Sequence, residues 1–475
     1  MSRSSHPPHV LHLGSGVRPF RRGGLVAYVE DLTAEQARRG ARTSYLYAGR
    51  YFRWPREPRL KRWQRDGISM FEILNSPLFD HGRQPELELD EPGIERIFAR
   101  LLVELQPDVV HVQELAGLPS SLLTIAKQAD FPVVMTLQDY FPVCPTFKLF
   151  DCDARVCHRQ ELGNECIAAL RSPDRRPNLL LEASMRRELD RRLPERPRKG
   201  RHRLIERLAV SPLTATADPD SPLPPLATFQ RRREVNVGRM NQLDRVIAMS
   251  DRVAELFCDL GVEAERMTTM QLTLSHIEQL TPRQPRESEH LTFATLGGGE
   301  SVAKGSRVML DAARCLAPDL AAGHLRLIVF GHLEPGFEAA AAEIKGLEIG
   351  RTFRPSELDR ILDEVDVGIM PSVWEEAYGY AGMEFLAKGI PVVSNKIGGM
   401  TDYVLPGVSG WLNEDCDGQG IARILGGLRA EPERVTRMSE NALAARDQLI
   451  TPMNRHVDEL GALYATLTGA PAASN

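Results

Sequence analysis

Residues 371–399, PSVWEEAYGYAGMEFLAKGIPVVSNKIGG, constrain this chain more than any other stretch. The apolar run before them, 367–370, reads as a short buried strand. A helix is expected over 378–388. Gly389 suits the left-handed stop after it, and Pro391 cannot continue it. A second strand over 391–394 and a turn at Gly398 and Gly399 complete the unit. The loop entering the helix ends in Glu375 and Glu376, and the helix carries Glu384. At ~1.5 Å per helical residue, Glu376 and Glu384 lie about 12 Å apart along the axis. That is too far to share one proton and suits gripping two ends of an extended ligand. The helix N-terminus between them has free amides, which favour an anion such as a diphosphate.

The chain has 475 residues, too many for one ordinary core, so two or three domains are expected. Its 42 % hydrophobic and 26 % charged residues are those of a soluble globular protein. A net charge of -5 argues against a dedicated nucleic-acid binder. No apolar run approaches the ~18 residues of a membrane span, and the N-terminus lacks the apolar core of a signal peptide. A cytoplasmic protein is the expectation. Seven cysteines, an odd number, do not form a disulfide framework in such a protein. Cys144, Cys152, Cys157 and Cys166 cluster near His158, without the CxxC knuckle of a zinc ribbon. Buried or free thiols are the default there, and a structural metal site the alternative.

Read in order, the chain begins with a strand over 10–13, a loop holding Gly23 and Gly24, a helix over 25–39 and a strand over 43–48. This is how a doubly wound parallel sheet starts. Gly23 and Gly24 stand directly before the helix, where amides can meet phosphate. The alternation continues with a helix over 94–105, a strand over 108–112, a helix over 120–129 and a strand over 132–137. His111 is placed at one strand end, as a catalytic or a structural histidine, and Gln138 follows the other. Strands over 243–247 and 271–274, with a helix over 251–260 between them, close a first domain over 1–280. It carries an Arg/Pro-rich insertion at about 150–235, with an arginine-rich part over 171–207 and a mobile Pro-rich loop over 211–227. Residues 50–65 mix arginines and aromatics, which suits a solvated loop, an acidic acceptor or a peripheral contact with anionic lipid. A polar linker over 281–289 leads to a second α/β domain over 290–450. Its strands are expected at 291–296, 325–330 and 349–353, with Lys304 and Gly305 after the first of them. The segment 451–475 holds a helix that packs back across the domain junction.

Several of these pieces together form a known pattern. Lys304-Gly305, the WEEAYGYAGMEFLAKGIPVVSNKIGG block and GVSGWL over 407–412 make the second half resemble the retaining glycosyltransferases of family 4. Gly23-Gly24, DVVHV over 108–112 and DYFPVCP over 139–145 extend the resemblance to the first half. It covers about 9–150 and 240–445. The resemblance implies a GT-B fold of two facing Rossmann-like, doubly wound domains. It implies a UDP- or GDP-sugar donor, no required metal or other cofactor, and a glycan, lipid-linked or other acceptor in surface polysaccharide or glycolipid assembly. Glu376 would contact the transferred sugar and Glu384 the ribose hydroxyls. Lys304 would neutralise the diphosphate, with Gly23, Gly24 and the amides near Gly379 and Tyr380 completing its cradle. Two departures stand out. Gly299 occupies the place of a second phosphate-binding cation, and Gln138 that of a histidine. Gln138 and His111 are nevertheless the remaining catalytic candidates. The departures also motivate a second reading, a catalytically silent GT-B protein that binds nucleotide sugar or a partner enzyme.

Overall fold

A computed structural model describes residues 8–469, except 19, 22, 51–54, 56, 79–82, 152–153, 169, 171–221 and 285–289. Among these residues the strands form two sheets. The first contains β1 (Val10–Gly14), β2 (Thr43–Ala48), β3 (Arg59–Arg65), β4 (Ile68–Leu74), β5 (Val109–Val112), β6 (Val133–Leu137), β7 (Arg245–Ala248) and β8 (Met267–Thr269). Their order is β3-β4-β2-β1-β5-β6-β7-β8, and every pairing is parallel except β3 with β4. The second contains β9 (Leu291–Leu296), β10 (Leu325–Phe330), β11 (Leu347–Ile349), β12 (Val367–Met370), β13 (Val392–Asn395) and β14 (Gly410–Asn413), all parallel in the order β11-β10-β9-β12-β13-β14. β1 lies between β2 and β5, and β9 between β10 and β12. Strand order therefore reverses beside the first strand of each sheet, and a doubly wound sheet opens its ligand crevice at that switch point. The architecture is the expected pair of Rossmann-like domains. Helices cover both faces of each sheet, so central strands such as β1, VLHLG, are buried along their whole length.

Four local expectations need correction. The last strand of the first sheet is Met267–Thr269, not 271–274. Leu272 and Leu274 are buried but make no ladder, so their apolar pattern records packing alone. In the second sheet the strand expected at 349–353 lies at Leu347–Ile349, and Phe353 instead packs edge-on against Phe330. Part of the basic, aromatic stretch forms the edge strand β3 rather than a loop. Its Arg62 pairs with Glu104, Arg65 with Glu30 at 2.8 Å, and Trp63 donates to Tyr47 Oη at 3.1 Å. Arg50 is buried against Glu72 at 2.7 Å. Each of these three arginines has a carboxylate partner inside the domain, and only Arg50 is buried. Finally, the Pro-rich loop gives way to a helix, Leu226–Met240, that buries Arg232, Arg233 and Asn236. Arg232 pairs with buried Glu88, and Arg233 donates to the carbonyls of Val143, Arg159 and Gln160. The arginine-rich 171–207 lies outside the described residues.

The helix Met453–Thr468 returns to the first domain and packs on the helix Gly24–Arg38. Tyr28 Oη lies 2.7 Å from His456 Nε2, and Arg39 donates to Asn454 O at 3.1 Å. No helix among the described residues is long and apolar enough to cross a membrane.

Candidate active site

A cavity of about 440 Å³ lies where the carboxyl ends of the two sheets face each other. That is the size of a pocket for an ordinary small-molecule ligand. Gly24, Gln138 after β6 and Met249 after β7 line it from the first domain. Gly297 and Gly298 after β9, Lys304, Ser372 after β12, Trp374, Glu376, Gly379, Tyr380 and Glu384 line it from the second.

The stretch 371–399 supplies most of that second wall. Glu376 is buried, with Lys304 Nζ paired to its Oε1 and Ser372 Oγ donating to its Oε2 at 2.7 Å. Lys304 Nζ also lies 5.6 Å from the centre of the Trp374 ring. It is the only Lys or Arg among the described residues lining the cavity. Glu384 Oε1 lies 2.7 Å from His276 Nε2, a first-domain partner that the sequence did not suggest. Gly379 stands at φ 77°, ψ 66°, a left-handed conformation that a side chain strains, and the helix Tyr380–Ala387 starts directly after it. No side chain among the described residues caps this start, so the first amides of the helix open toward the cavity.

The two glycines of the first loop part company. Gly23 precedes the helix at φ 131° and is not part of the cavity wall. Gly24 is part of it, and a Cβ there would stand 2.7 Å from Tyr380 Cδ2. The missing side chain therefore makes room for a second-domain ring, in addition to any phosphate contact. Gly24→Ala is expected to hold the walls apart, at the ~1–3 kcal/mol typical of overpacking, and to lower sugar transfer about tenfold or more. Added to Tyr380→Ala, the same change should cost nothing further in initial rate. Equal losses in both backgrounds would refute the steric account.

Gly299 does not line the cavity. A Cβ at this position would meet Leu333 Cδ2 at 2.6 Å and Val329 Cγ1 at 3.0 Å, so it faces the second-domain core. Its expected place in the donor site is corrected: a side chain here would run into packed residues.

His111 is corrected as well. It is fully buried inside β5 rather than poised at an open strand end. Its Nδ1 meets Tyr464 Oη at 2.6 Å and its Nε2 meets Thr136 Oγ1 at 2.7 Å. Burial and nearby His12 and His456 push its pKa well down, so the ring is neutral and structural.

Gln138, by contrast, reaches the cavity, and its neighbours fix which way its amide points. Its Nε2 donates to Gln113 Oε1 at 3.1 Å and to Gln113 O at 3.3 Å. Gln113 Nε2 lies 3.2 Å from His12 Nδ1, and His12 Nε2 lies 2.7 Å from Gln36 Oε1. Burial lowers the His12 pKa to about 4, so the ring is neutral and carries one proton. Only one assignment satisfies every pair. Each residue donates to the next, away from the cavity, with the His12 proton on Nε2. Gln138 Oε1 is left buried with no hydrogen-bond partner among the described residues.

Thr295 Oγ1, Trp374 Nε1, Tyr378 Oη and Tyr380 Oη are also buried without a hydrogen-bond partner among the described residues, and all four residues line the cavity. Buried polar atoms are rarely left unpaired, so this wall is built for a polar ligand. Trp374 and Tyr378 lie in the stretch that the sequence singled out. Thr295, Gln113 and His276 carried no readable signal.

The cysteines form no part of this wall. Cys144, Cys157 and Cys166 are buried. A thiol–thiol hydrogen bond draws the Cys157 pKa down and pushes that of Cys166 up. Cys152 lies outside the described residues, and among the described ones no group of three His, Cys, Asp or Glu could hold a metal. His158 instead lies 2.6 Å from Glu375.

Two facing doubly wound domains, with a lysine, two carboxylates and an uncapped helix start in the cleft between them, define a GT-B protein. Residues 23–273 match the glycosyl transferase 4-like domain and residues 291–430 the glycosyl transferases group 1 model, and the chain belongs to that family. It is 33 % identical over 165 residues to the amylovoran biosynthesis glycosyltransferase AmsK of Erwinia amylovora, a match covering 32 % of this chain and 39 % of that one. It is 32 % identical over 186 residues to a D-inositol 3-phosphate glycosyltransferase of Corynebacterium urealyticum, covering 35 % and 44 %. The chain thus spans less than half the length of these curated relatives. The crystal structure of Anabaena HepE in complex with UDP and glucose superposes with a TM-score of 0.57 at 15 % identity, over 97 % of this chain and 100 % of that one. Sucrose-phosphate synthase of Thermosynechococcus elongatus superposes with a TM-score of 0.60 at 15 % identity, over 97 % and 99 %.

Proposed function

We propose that this protein is a retaining, metal-independent glycosyltransferase. It moves a sugar from a nucleoside-diphosphate sugar to an acceptor in surface polysaccharide or glycolipid assembly, on the cytoplasmic side. The observation that carries the reading is the convergence of Lys304, Glu376 and the uncapped start of the helix Tyr380–Ala387 on one cavity. A departing nucleoside diphosphate gains negative charge, and a fixed ammonium with helix amides stabilises that charge as it develops. Donor phosphate entering the cavity competes with Glu376 for Lys304 and releases the carboxylate toward the sugar. Glu384, exchanging His276 for ribose hydroxyls, would hold the other end. Gln138 Oε1 would accept from a sugar hydroxyl. The diphosphate then leaves on the face where the acceptor attacks and helps to take its proton, which preserves the anomeric configuration.

Relatives named for amylovoran and inositol-phosphate glycosylation, and the HepE complex with UDP and glucose, support this class of reaction and a uridine donor as the first to try. A panel of UDP- and GDP-sugars incubated with the protein and a mixed pool of acceptors tests it. The expected result is release of one nucleoside diphosphate from one donor class. Release from no donor, alongside tight nucleoside diphosphate binding, would favour the silent reading.

A further inference from the structure

Glu375, the carboxylate next to Glu376, is 1 % exposed and does not line the cavity. It belongs to the second domain, yet two of its partners come from the first. Arg252, in the helix Asp251–Asp259, brings Nη2 to 2.8 Å of its Oε1, and His158 brings Nε2 to 2.6 Å of the same oxygen. Oε2 accepts from Gly398 N at 3.0 Å within its own domain. Its backbone neighbours are held the same way. Glu376 N donates to Trp374 O at 2.6 Å, so Glu375 is the central residue of a tight three-residue turn. First-domain Ser250 Oγ donates to Ala377 O at 3.0 Å, and Lys148 Nζ sits 5.9 Å from the Trp374 ring centre. On the next loop, Asp402 accepts from Asp251 N at 2.7 Å.

We propose that Glu375 is the residue through which domain closure sets the position of Glu376. Arg252 and His158 are the first-domain positioning residues that act through it. With the domains together, the carboxylate is buried and paired, and the turn from Trp374 to Glu376 is pinned at its middle. With the domains apart, both partners leave and the carboxylate is rehydrated. The turn is then held from its own domain alone, and Glu376 loses its fixed approach to the cavity. Chemistry is thereby confined to the closed form, where water is excluded from the cleft. Binding of a nucleoside diphosphate depends mainly on Lys304 and the helix start, which the latch does not touch.

The inference rests on the proposed glycosyl transfer for its kinetic consequence, but the latch itself can be measured without any substrate. Small-angle scattering of the ligand-free full chain is expected to give a larger radius of gyration for Arg252→Ala with His158→Ala than for wild type. Arg252→Lys should restore part of the compaction. With the donor that the wild type turns over, Arg252→Ala should lower kcat by about 10–100-fold, the scale of a small misplacement of a reacting group. The dissociation constant of the matching diphosphate, UDP or GDP, should stay within about twofold. Adding Glu375→Gln to Arg252→Ala should lower kcat no further. Unchanged scattering, a parallel loss of diphosphate affinity or fully additive losses would each overturn the proposal. Should the wild type bind neither UDP nor GDP, the functional reading fails while the scattering comparison still decides the latch.

Discussion

Glu376→Ala is expected to lower sugar transfer by on the order of 10²–10³-fold or more, the loss seen when one group that meets developing charge is removed. The same change should leave nucleoside diphosphate binding intact or tighter. The opposite signs follow from the ion pair between Glu376 and Lys304. In the empty cleft the carboxylate occupies the ammonium, so its removal frees Lys304 for phosphate. Stability should change little. The Lys304 side chain is 34 % exposed, and losing one partner of so accessible a pair costs at most about 1 kcal/mol. Initial rates with a working donor, calorimetry with the matching diphosphate and a melting curve check the three parts. A variant that keeps wild-type turnover would remove Glu376 from the chemistry.

Arg232→Ala carries the largest expected effect on stability, about 3–5 kcal/mol, because it takes a buried guanidinium away from the buried Glu88 carboxylate. Both side chains are almost fully enclosed, at 2 % and 3 % exposure. Arg232 also donates to Phe141 O at 2.6 Å and lies over the Phe141 ring at 4.6 Å. Phe141 stands three residues beyond Gln138, so the variant should loosen one cavity wall as well as the fold. Urea unfolding measures the loss. Arg232→Met combined with Glu88→Leu should recover most of it, since an apolar pair of similar volume needs no desolvation of charge. A single variant within about 1 kcal/mol of wild type would show that the pair contributes little.

Where local chemistry dictates local structure, the sequence was readable. Gly389 and Pro391 marked the end of the helix Tyr380–Ala387, whose start falls two residues later than expected, and the apolar runs of β1, β9, β10 and β12 are strands as expected. Glu376, Lys304, Glu384, Gly24, Tyr380 and Gln138 all line one cavity. What stayed hidden depends on partners distant in the chain. β3 intersperses Arg59, Lys61, Arg62 and Arg65 with Leu60 and Trp63, and Arg62 and Arg65 are matched by Glu104 and Glu30 from helices elsewhere. The helix Leu226–Met240 looks too basic to be buried until Glu88 and three carbonyl groups are placed opposite its arginines. His111 has the same composition whether it faces ligand or Tyr464, and only the returning C-terminal helix decides. The orientation of Gln138 is set by Gln113, His12 and Gln36, which no spacing rule connects.

The central claim, a diphosphate site built on Lys304 between the two domains, is tested most directly by calorimetric titration of UDP and of GDP onto the wild type and onto Lys304→Ala. One of the two diphosphates is predicted to bind the wild type, with affinity at least about tenfold weaker in the variant, the ~1.5–3 kcal/mol of a charge-assisted contact. Binding of neither, or equal affinity in both proteins, would contradict it.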